Sequence, residues 1–300
     1  MKGNTLIRKW VLTFFLLLMA AMMVFPVVFT LSNSFMTENE ISRHYPSDNE
    51  IQQDTDAANN DKFVHLKLLP DKFSFQQYKA FFDKKQSFID KEQSNMRFYG
   101  NSVLMVFPII LGQLIVASLA AYVFGKLKFK GRGTLFLIYM VTMLMPFQVT
   151  LVPNYLIADK LGLLNSFGAI IFPGVFGAFG VFMLRQFVMT IPFSYIEAAK
   201  IDGASHFSIF MKIILPLIRP GLAALVVLLF ADYWNMVEQP LIFLDDPSKF
   251  PLSLYLSQII EETRGIGFAA SILYMAPMLL IFGFTKKYLI KGIQLSGAKD

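Results

Sequence analysis

The sequence predicts an all-α integral membrane protein with six transmembrane helices. Hydrophobic residues make up 55% of its 300 residues, charged residues only 16%, and 32 residues are phenylalanine. A soluble domain would contain about one quarter of charged residues. The apolar residues also fall into six runs, each close to the ~20 residues that an α-helix needs to cross a bilayer. These observations exclude an ordinary soluble fold.

The first predicted transmembrane helix is the apolar run from Val11 to Leu31, which follows three basic residues. A cleavable signal peptide has a shorter apolar core that ends in small residues. Here Ala20 and Ala21 lie in the middle of the run instead. We therefore expect an uncleaved helix within residues 1–35, with its N-terminus in the cytoplasm.

Residues 36–99 are polar and are predicted to form an extracytoplasmic loop. The first part of this loop has the low hydrophobicity of a flexible chain, and the sequence assigns no role to residues 36–72. The later part has apolar residues near helical spacing, namely Phe75, Tyr78, Phe82 and Ile89. This spacing favours an amphipathic helix that packs on the membrane domain and binds no ligand.

Five more apolar runs form a core domain, residues 100–292, before a cytoplasmic tail at 293–300. Their predicted limits are Asn101–Phe124, Thr134–Val152, Gly168–Val188, Leu222–Leu244 and Phe268–Ile290. Pro146 interrupts the third helix of the chain and Pro153 closes it. Small residues let neighbouring helices approach closely, and the fourth helix has three of them. We interpret these as packing positions: Gly174, Gly177 and Gly180.

The distribution of charge predicts that both termini are cytoplasmic. With that orientation the short outside loops hold only three basic residues, Lys160, Lys249 and Arg264. The inside segments then hold three acidic residues, which are Glu197, Asp202 and Asp300. They hold fifteen basic residues, which are Lys2, Arg8, Lys9, Lys126, Lys128, Lys130, Arg132, Arg185, Lys200, Lys212, Arg219, Lys286, Lys287, Lys291 and Lys299. This asymmetry follows the positive-inside rule.

The loop between the fourth and fifth helices, Pro192 to Pro220, carries too much charge to lie in hydrocarbon. Ser194 and Glu197 have the spacing of a capping box, which predicts a helix start. Gly203 predicts the end of that helix, because glycine readily adopts the left-handed conformation. A second helical pattern follows until two prolines interrupt it. Its apolar residues are Phe207, Phe210, Ile213 and Ile214. Such short helices need a partner surface.

This loop resembles the EAA loop of ATP-binding-cassette importer permeases. The family pattern is EAA, a few residues, Gly, a longer gap, then an apolar residue and Leu-Pro. The matching residues are Glu197, Ala198, Ala199, Asp202, Gly203, Ala204, Phe210, Leu215 and Pro216. In the family this segment, here about 190–220, is the coupling helix that fits a groove on the cytoplasmic ATPase subunit. The alternative is an amphipathic helical hairpin that lies on the lipid surface.

The fifth predicted helix contains a polar cluster inside an apolar run. Its residues are Asp232, Tyr233, Trp234, Asn235, Glu238 and Gln239. Ionisable residues within a membrane indicate function because they are costly when they face lipid. Asp232, Asn235 and Gln239 would share one helical face and line a path for a polar, neutral solute. Tyr233 or Trp234 would offer a stacking surface for a sugar. In the alternative, Glu238 and Gln239 lie at the outer interface and Asp232 bonds to another helix.

The chain also resembles the carbohydrate branch of the same permeases. The residues that carry this resemblance are Trp234-Asn235, Pro240-Leu241-Ile242, Asp246-Pro247, Pro251-Leu252 and the QQYKAFF segment at 76–82. The resemblance implies the type I importer fold, as in the smaller permease subunit of maltose importers. It departs from the family in the segment 41–61, which is longer than usual.

The resemblance implies a multi-pass subunit of a bacterial-type plasma membrane. Its expected partners are a second homologous permease, two ATPase subunits, an extracytoplasmic solute-binding protein and the bilayer, with no nucleic acid. ATP and Mg would bind to the ATPase, and this chain would bind no cofactor. No G-x-x-x-x-G-K phosphate loop occurs in the sequence. The three histidines lie far apart in loops, so we expect neither a metal site nor an enzyme.

Two other functional classes stay open at this point. A cation-coupled secondary transporter would use Asp232 and Glu238 as ion sites, but it would need internal repeats. A non-transporting sensor or scaffold would account for the long outer loop and would leave the EAA pattern unexplained. The sequence does not identify the solute.

Overall fold

A computed structural model describes residues 2–45, 67–83, 95–258 and 264–297, and within these ranges the backbone is helical with no β-strand. The helices are α1 Lys2–Asn33, α2 Glu38–His44, α3 Gln76–Phe82, α4 Met96–Lys126, α5 Arg132–Leu144, α6 Phe147–Lys160, α7 Gly168–Val175, α8 Ala178–Thr190, α9 Phe193–Ile201, α10 His206–Leu217, α11 Arg219–Trp234, α12 Glu238–Phe243, α13 Leu252–Ser257 and α14 Arg264–Gly297. Much of the predicted polar loop, including Ile89, lies outside the described residues, as does the end of the predicted tail.

The described chain contains between four and six helical segments able to cross a membrane, and the upper figure equals the predicted number. Within the described part, four helical segments are long and apolar enough to cross: Arg8–Asn33, Met96–Lys126, Gly168–Thr190 and Arg264–Lys286. Two sharply bent pairs qualify together, α5 with α6 at 102° and α10 with α11 at 72°. If each bent pair is one crossing, the total is six.

The third predicted helix differs from the prediction at one of its two prolines. Pro146 does interrupt the helix, because it is the N-cap of α6 after a break at Met145. Pro153 was expected to close the helix, and this prediction is wrong. It lies inside α6, which continues to Lys160. A proline removes only one backbone hydrogen bond of a helix, and the bonds beyond it persist, as between Leu161 N–H and Ile157 O at 3.0 Å.

The described chain forms two compact units. The first comprises Met1–Met96 and Gln258–Met275. Its small core is built from Met36, Ile41 and Tyr45. The buried Glu40 carboxylate organises the polar part of this unit, because it accepts the Asp71 amide at 2.7 Å and lies 3.0 Å from Lys67 Nζ. The expected helix at Phe75 to Phe82 is present as α3.

The second unit comprises Arg97–Ser257 and Ala276–Asp300, and α4 packs closely on α7 and α8 within it. A Cβ atom added at Gly174 would lie 2.8 Å from Ile109, and one at Gly177 would lie 2.6 Å from Gln113. Gly180 is similarly close to Ala117, at 3.1 Å. These are the three glycines interpreted from the sequence as packing positions, and the structure confirms that interpretation.

Loop segments of the second unit are fixed by side chains at helix ends. The Asn101 amide in α4 donates to the carbonyls of Ser248 and Phe250 at 2.8 and 2.9 Å. Asn165, which has a left-handed φ of 56°, accepts the Asp246 amide at 3.1 Å. Hydrogen bonds from Ser248 hold the pKa of Asp246 below its ordinary value. The connection between α12 and α13 is therefore anchored at both ends.

We predict that Gly174→Val destabilises the fold, because the added Cβ would meet the fully buried Ile109. Overpacking of this kind costs roughly 1–3 kcal/mol. Gly133→Val is the matched control, since nothing lies within 4 Å of a Cβ at that helical glycine. Thermal unfolding of both variants in detergent checks the prediction. Equal melting temperatures would contradict it.

Candidate functional site

Helix α9 begins two residues earlier than the capping box requires. Its N-cap is Pro192, and no side chain caps it. Ser194 lies inside the first turn, so the predicted Ser194–Glu197 capping box is wrong. Proline fits this position because its backbone favours the extended conformation seen there, at φ −60° and ψ 143°. Glu197 is consequently exposed and makes no side-chain hydrogen bond or salt bridge to the described residues.

The end of α9 is a complete Schellman motif. Gly203 has a left-handed φ of 79°, as predicted. Its amide donates to Lys200 O at 3.0 Å, and the Ala204 amide donates to Ala199 O at 2.9 Å. These are the two hydrogen bonds that define the motif and satisfy the last carbonyls of the helix. The Gly203 position is open, with nothing within 4 Å of an added Cβ, so only its backbone conformation restricts substitution.

The second helix of the loop, α10, starts at a cap that the sequence reasoning missed. The Ser205 hydroxyl accepts the Ser208 amide at 3.2 Å, which is N-cap geometry. The following residues include a π-helical turn, Phe210–Ile214. The chain then bends by 72° at Ile218, after Pro216, and continues as α11. A serine directly after the predicted helix end was the available signal for this cap.

The loop has a buried face and an exposed face. Ile196, Ile209, Phe210 and Ile214 are buried, and the Phe210 ring lies 5.8 Å from that of Tyr122. Four other large apolar side chains of the loop are exposed. We call this the loop surface; it consists of Tyr195, Ile201, Phe207 and Met211. Ile201 is 87% exposed and Phe207 is 68% exposed.

The remaining residues of the EAA pattern are distributed along this loop. Ala198 and Asp202 are exposed with Glu197, whereas Ala204, Leu215 and Pro216 are partly buried. The structure thus places the acidic residues beside the loop surface. It also places the Leu-Pro pair at the bend into α11.

The fifth predicted helix is not continuous. Helix α11 ends at Trp234, Asn235 is its C-cap, and Gln239 belongs to the separate helix α12. The prediction that Asp232, Asn235 and Gln239 share one helical face is therefore wrong, as is the limit at Leu244. The reason is Pro240, whose ring would clash with the carbonyl four residues earlier in a continuous helix. In the first turn of α12 the same proline is tolerated.

The break nevertheless brings the predicted path residues to one cavity. Asp232, Tyr233, Asn235 and Gln239 line a cavity of about 600 Å³. A neighbouring cavity of about 740 Å³ shares Asp232 and Tyr233 and extends toward α4. Of the two aromatic alternatives, Tyr233 lines both cavities. Trp234 is only 2% exposed and stacks on Phe230 at 4.9 Å, so it offers no free surface.

The two cavities border three breaks in the helices of the second unit. Phe147 follows the bend between α5 and α6, and Gly177 lies in the break between α7 and α8. Met236 lies between α11 and α12. Within a membrane, irregular backbone is tolerated only where it is buried in protein or lines a watery cavity. The breaks and the cavities are therefore consistent with each other.

Several polar residues of the cavities were missed by the sequence reasoning. Gln113 is 1% exposed, and its amide nitrogen donates to Gly177 O at 3.1 Å. Its Oε1 atom has no hydrogen-bond partner among the described residues. Asn154 lines both cavities, and Thr150 lines the larger one. Gln113 was detectable as an uncharged polar residue within an apolar run, whereas Asn154 directly follows Pro153, which was predicted to close the helix.

The cavity lining is mostly apolar with a few polar side chains, and its charged side chains are acidic. Asp232 and Glu238 contribute carboxylates, and Gln113 and Asn154 contribute amides. In the part of the chain that the structure describes, no lysine or arginine lines either cavity. No group of three or more His, Asp or Glu side chains placed to hold a metal occurs among the same residues. The site can donate and accept hydrogen bonds and disfavours anions.

Comparison with known proteins decides the family. A family model described as "Binding-protein-dependent transport system inner membrane component" matches residues 113–294. The chain belongs to this family. It is an importer permease subunit, a non-catalytic inner-membrane component of a transport system.

Individual relatives cover most of this permease. The arabinooligosaccharides transport system permease protein of Halalkalibacterium halodurans is 32% identical over 67% of this chain and 73% of the relative. The polygalacturonan/rhamnogalacturonan transport system permease protein of Bacillus subtilis is 29% identical over 95% of this chain and 96% of the relative. A crystal structure of a bacterial ABC transporter involved in import of the acidic polysaccharide alginate matches with a TM-score of 0.76. That chain is 22% identical, over 94% of this permease and 96% of its own length. At this identity the match establishes the type I permease fold alone.

We predict that Gly203→Val disrupts the turn between α9 and α10, whereas Gly203→Asn preserves it. A left-handed conformation costs a β-branched residue roughly 1–2 kcal/mol more than glycine, and asparagine tolerates it. Limited proteolysis of the 190–220 loop in the solubilised permease measures the effect. Faster cleavage is expected for the valine variant only, and identical cleavage of both variants would argue against the prediction.

Proposed function

We propose that this chain is the permease subunit of an ATP-driven importer that depends on a binding protein and carries a sugar or oligosaccharide. The solute passes through the two cavities at Asp232 and Tyr233. A separate ATPase subunit supplies the energy by docking on the loop surface. The chain itself binds no cofactor, and ATP and Mg are bound by that partner.

The observation that carries this proposal is the position of α11, which runs from the 190–220 loop to the two cavities. The helix begins directly after the loop, at Arg219, and its last turn holds Asp232 and Tyr233 at the cavities. It has 16 residues, which is about 24 Å at 1.5 Å per residue. A displacement of the loop therefore reaches the cavities through one rigid element.

The loop surface is suited to a protein partner. It presents Ile201 and Phe207, which are highly exposed, at a charged loop that cannot lie in hydrocarbon. Glu197 and Asp202 lie exposed on the same segment. Burial of large apolar side chains ringed by charges is typical of protein interfaces. This arrangement supports the ATPase as the partner and the segment at α9 as the coupling helix.

The cavity chemistry supports a neutral sugar as the solute. Hydroxyl groups can donate to Asp232, and they can accept from the Asn154 amide. The ring of Tyr233 offers an apolar face beside them. An acidic oligosaccharide would meet Asp232 and Glu238 without a compensating cation on this side of the path.

The complete importer then has the composition implied by the family resemblance. A second homologous permease, two ATPase subunits and an extracytoplasmic binding protein complete it, and both termini of this chain are cytoplasmic. ATP closes the ATPase dimer and draws the two coupling loops together. The bend at Ile218 passes this motion to α11, so that the cavities open alternately to the two sides of the membrane.

We predict that the tagged chain, purified from its native membrane in mild detergent, retains a second permease and an ATPase subunit. Phe207→Asp should lose the ATPase and keep the second permease, because it places a charge in the centre of the loop surface. Mass spectrometry of the purified complex measures both. Phe207→Leu is the matched control and should retain all subunits. A Phe207→Asp complex with normal ATPase content would refute docking at this surface.

We also predict that Asp232→Leu lowers solute uptake by about tenfold or more, since hydrogen bonds to a charged acceptor are stronger than neutral ones. Asp245→Leu, on the exposed connection after α12, is the control and should transport normally. Uptake is measured in vesicles with a neutral arabinooligosaccharide as the first probe and an oligogalacturonate as the acidic comparison. Faster import of the acidic compound would contradict the neutral-solute assignment.

A further inference from the structure

Two basic side chains exchange helix caps at one end of α4 and α8. Lys126 is the last residue of α4, and its Nζ donates to the carbonyl of Ile191, the C-cap residue of α8. In return, Arg185 of α8 donates from Nε to the carbonyl of Phe124, in the last turn of α4, at 3.2 Å. The last carbonyls of a helix have no partner within it and attract cations. Each helix thus caps the other.

The Lys126 side chain is held without an acid. It is only 6% exposed, and no salt bridge to it occurs among the described residues. A buried ammonium group needs compensation from polar or aromatic groups. The Ile191 carbonyl provides one such group, and the ring of Phe193 provides the other, with its centroid 4.5 Å from Nζ.

Phe193 is the first residue of α9, so the ammonium group bridges the short connection between α8 and α9. Arg185 makes an equivalent contact with α5, since its guanidinium carbon lies 3.9 Å from the centroid of the Phe136 ring. Gly125 allows this close packing, because a Cβ there would lie 2.8 Å from Val188. The ends of α4 and α8 and the start of α9 are therefore joined by charged contacts.

We propose that Lys126 is a positioning residue that fixes the direction of α9 relative to α4, with Arg185 holding α4 to α8 so that the three helices move together. The proposal rests on the function proposed above, in which α9 is the coupling helix. Lys126 makes α4, which lines the larger cavity through Gln113, a second connection from the loop to the solute path.

A spin label tests this contact directly, because the chain contains no cysteine and a single one can be introduced at the exposed Ser194. The full-length chain is labelled in lipid nanodiscs, with and without its partner subunits. In Lys126→Met, the population with a mobile label should rise by about tenfold, as expected for the loss of a charged hydrogen bond. Lys126→Arg should restore the immobile spectrum. Lys128→Met, at an exposed lysine two residues away, should leave it unchanged.

An unchanged spectrum in Lys126→Met, or equal loosening in Lys128→Met, would overturn the proposal. If Lys126→Met does not insert, Phe193→Leu replaces it, because this variant removes the ring and keeps the cation. An immobile label in Phe193→Leu would then overturn the proposal in the same way.

Transport by the complete importer separates this inference from the proposed function. The ratio of solute imported to ATP hydrolysed should fall in Lys126→Met and return in Lys126→Arg. A loosened label with an unchanged ratio would overturn the coupling role of α9, while the contact of Lys126 with α9 would stand. An immobile label with a reduced ratio would overturn the positioning role of Lys126.

Discussion

The rest of the structure depends on the pairing of backbone carbonyls where helices end or break. A membrane offers no water to these groups, so the protein must supply partners. Lys126 and Arg185 do so for α8 and α4, and Arg132 donates to Leu127 O at 3.0 Å. Around the cavities, Gln113 donates to Gly177 O and Tyr233 to Gly174 O, at 3.1 and 3.3 Å. Tyr233, which the sequence predicts as a residue of the solute path, therefore also has a structural role.

This double role explains why the cavities coincide with the breaks. Within a continuous helix the backbone groups bond to each other. At a break, backbone groups lose these partners and a cavity can form beside them. Polar side chains that bond to these backbone groups then also line the cavity. Gln113 illustrates this, because its side-chain nitrogen donates to the Gly177 carbonyl and the residue also lines the larger cavity. Glycines in α7 and at the start of α8 allow α4 to pack closely against these two helices.

Composition and run length were sufficient to predict an all-helical membrane protein with several apolar spans, because the length of a span is set by bilayer thickness. Helix continuity was harder to predict. Pro146 breaks a helix and Pro153 does not, although both are prolines in apolar runs. The local sequence alone does not distinguish the two positions. Likewise Ser194 and Ser205 both precede helical patterns, and only the geometry at Ser205 makes it a cap. Trp234 was indistinguishable from Tyr233 in sequence because burial depends on Phe230 and Tyr99.

The spacing of the EAA pattern has a physical origin in the end of α9. The Ala204 amide donates to the Ala199 carbonyl, and Gly203 supplies the left-handed residue between them. The two alanines contribute backbone atoms to these bonds, so of the three residues only Gly203 is restricted in type by the fold of the loop. Glu197 is different, since it is exposed, caps nothing and makes no side-chain bond to the described residues. The fold of the described loop gives no reason for a carboxylate at this position. A requirement imposed by a partner would account for it, and this agrees with ATPase docking on the loop surface beside it.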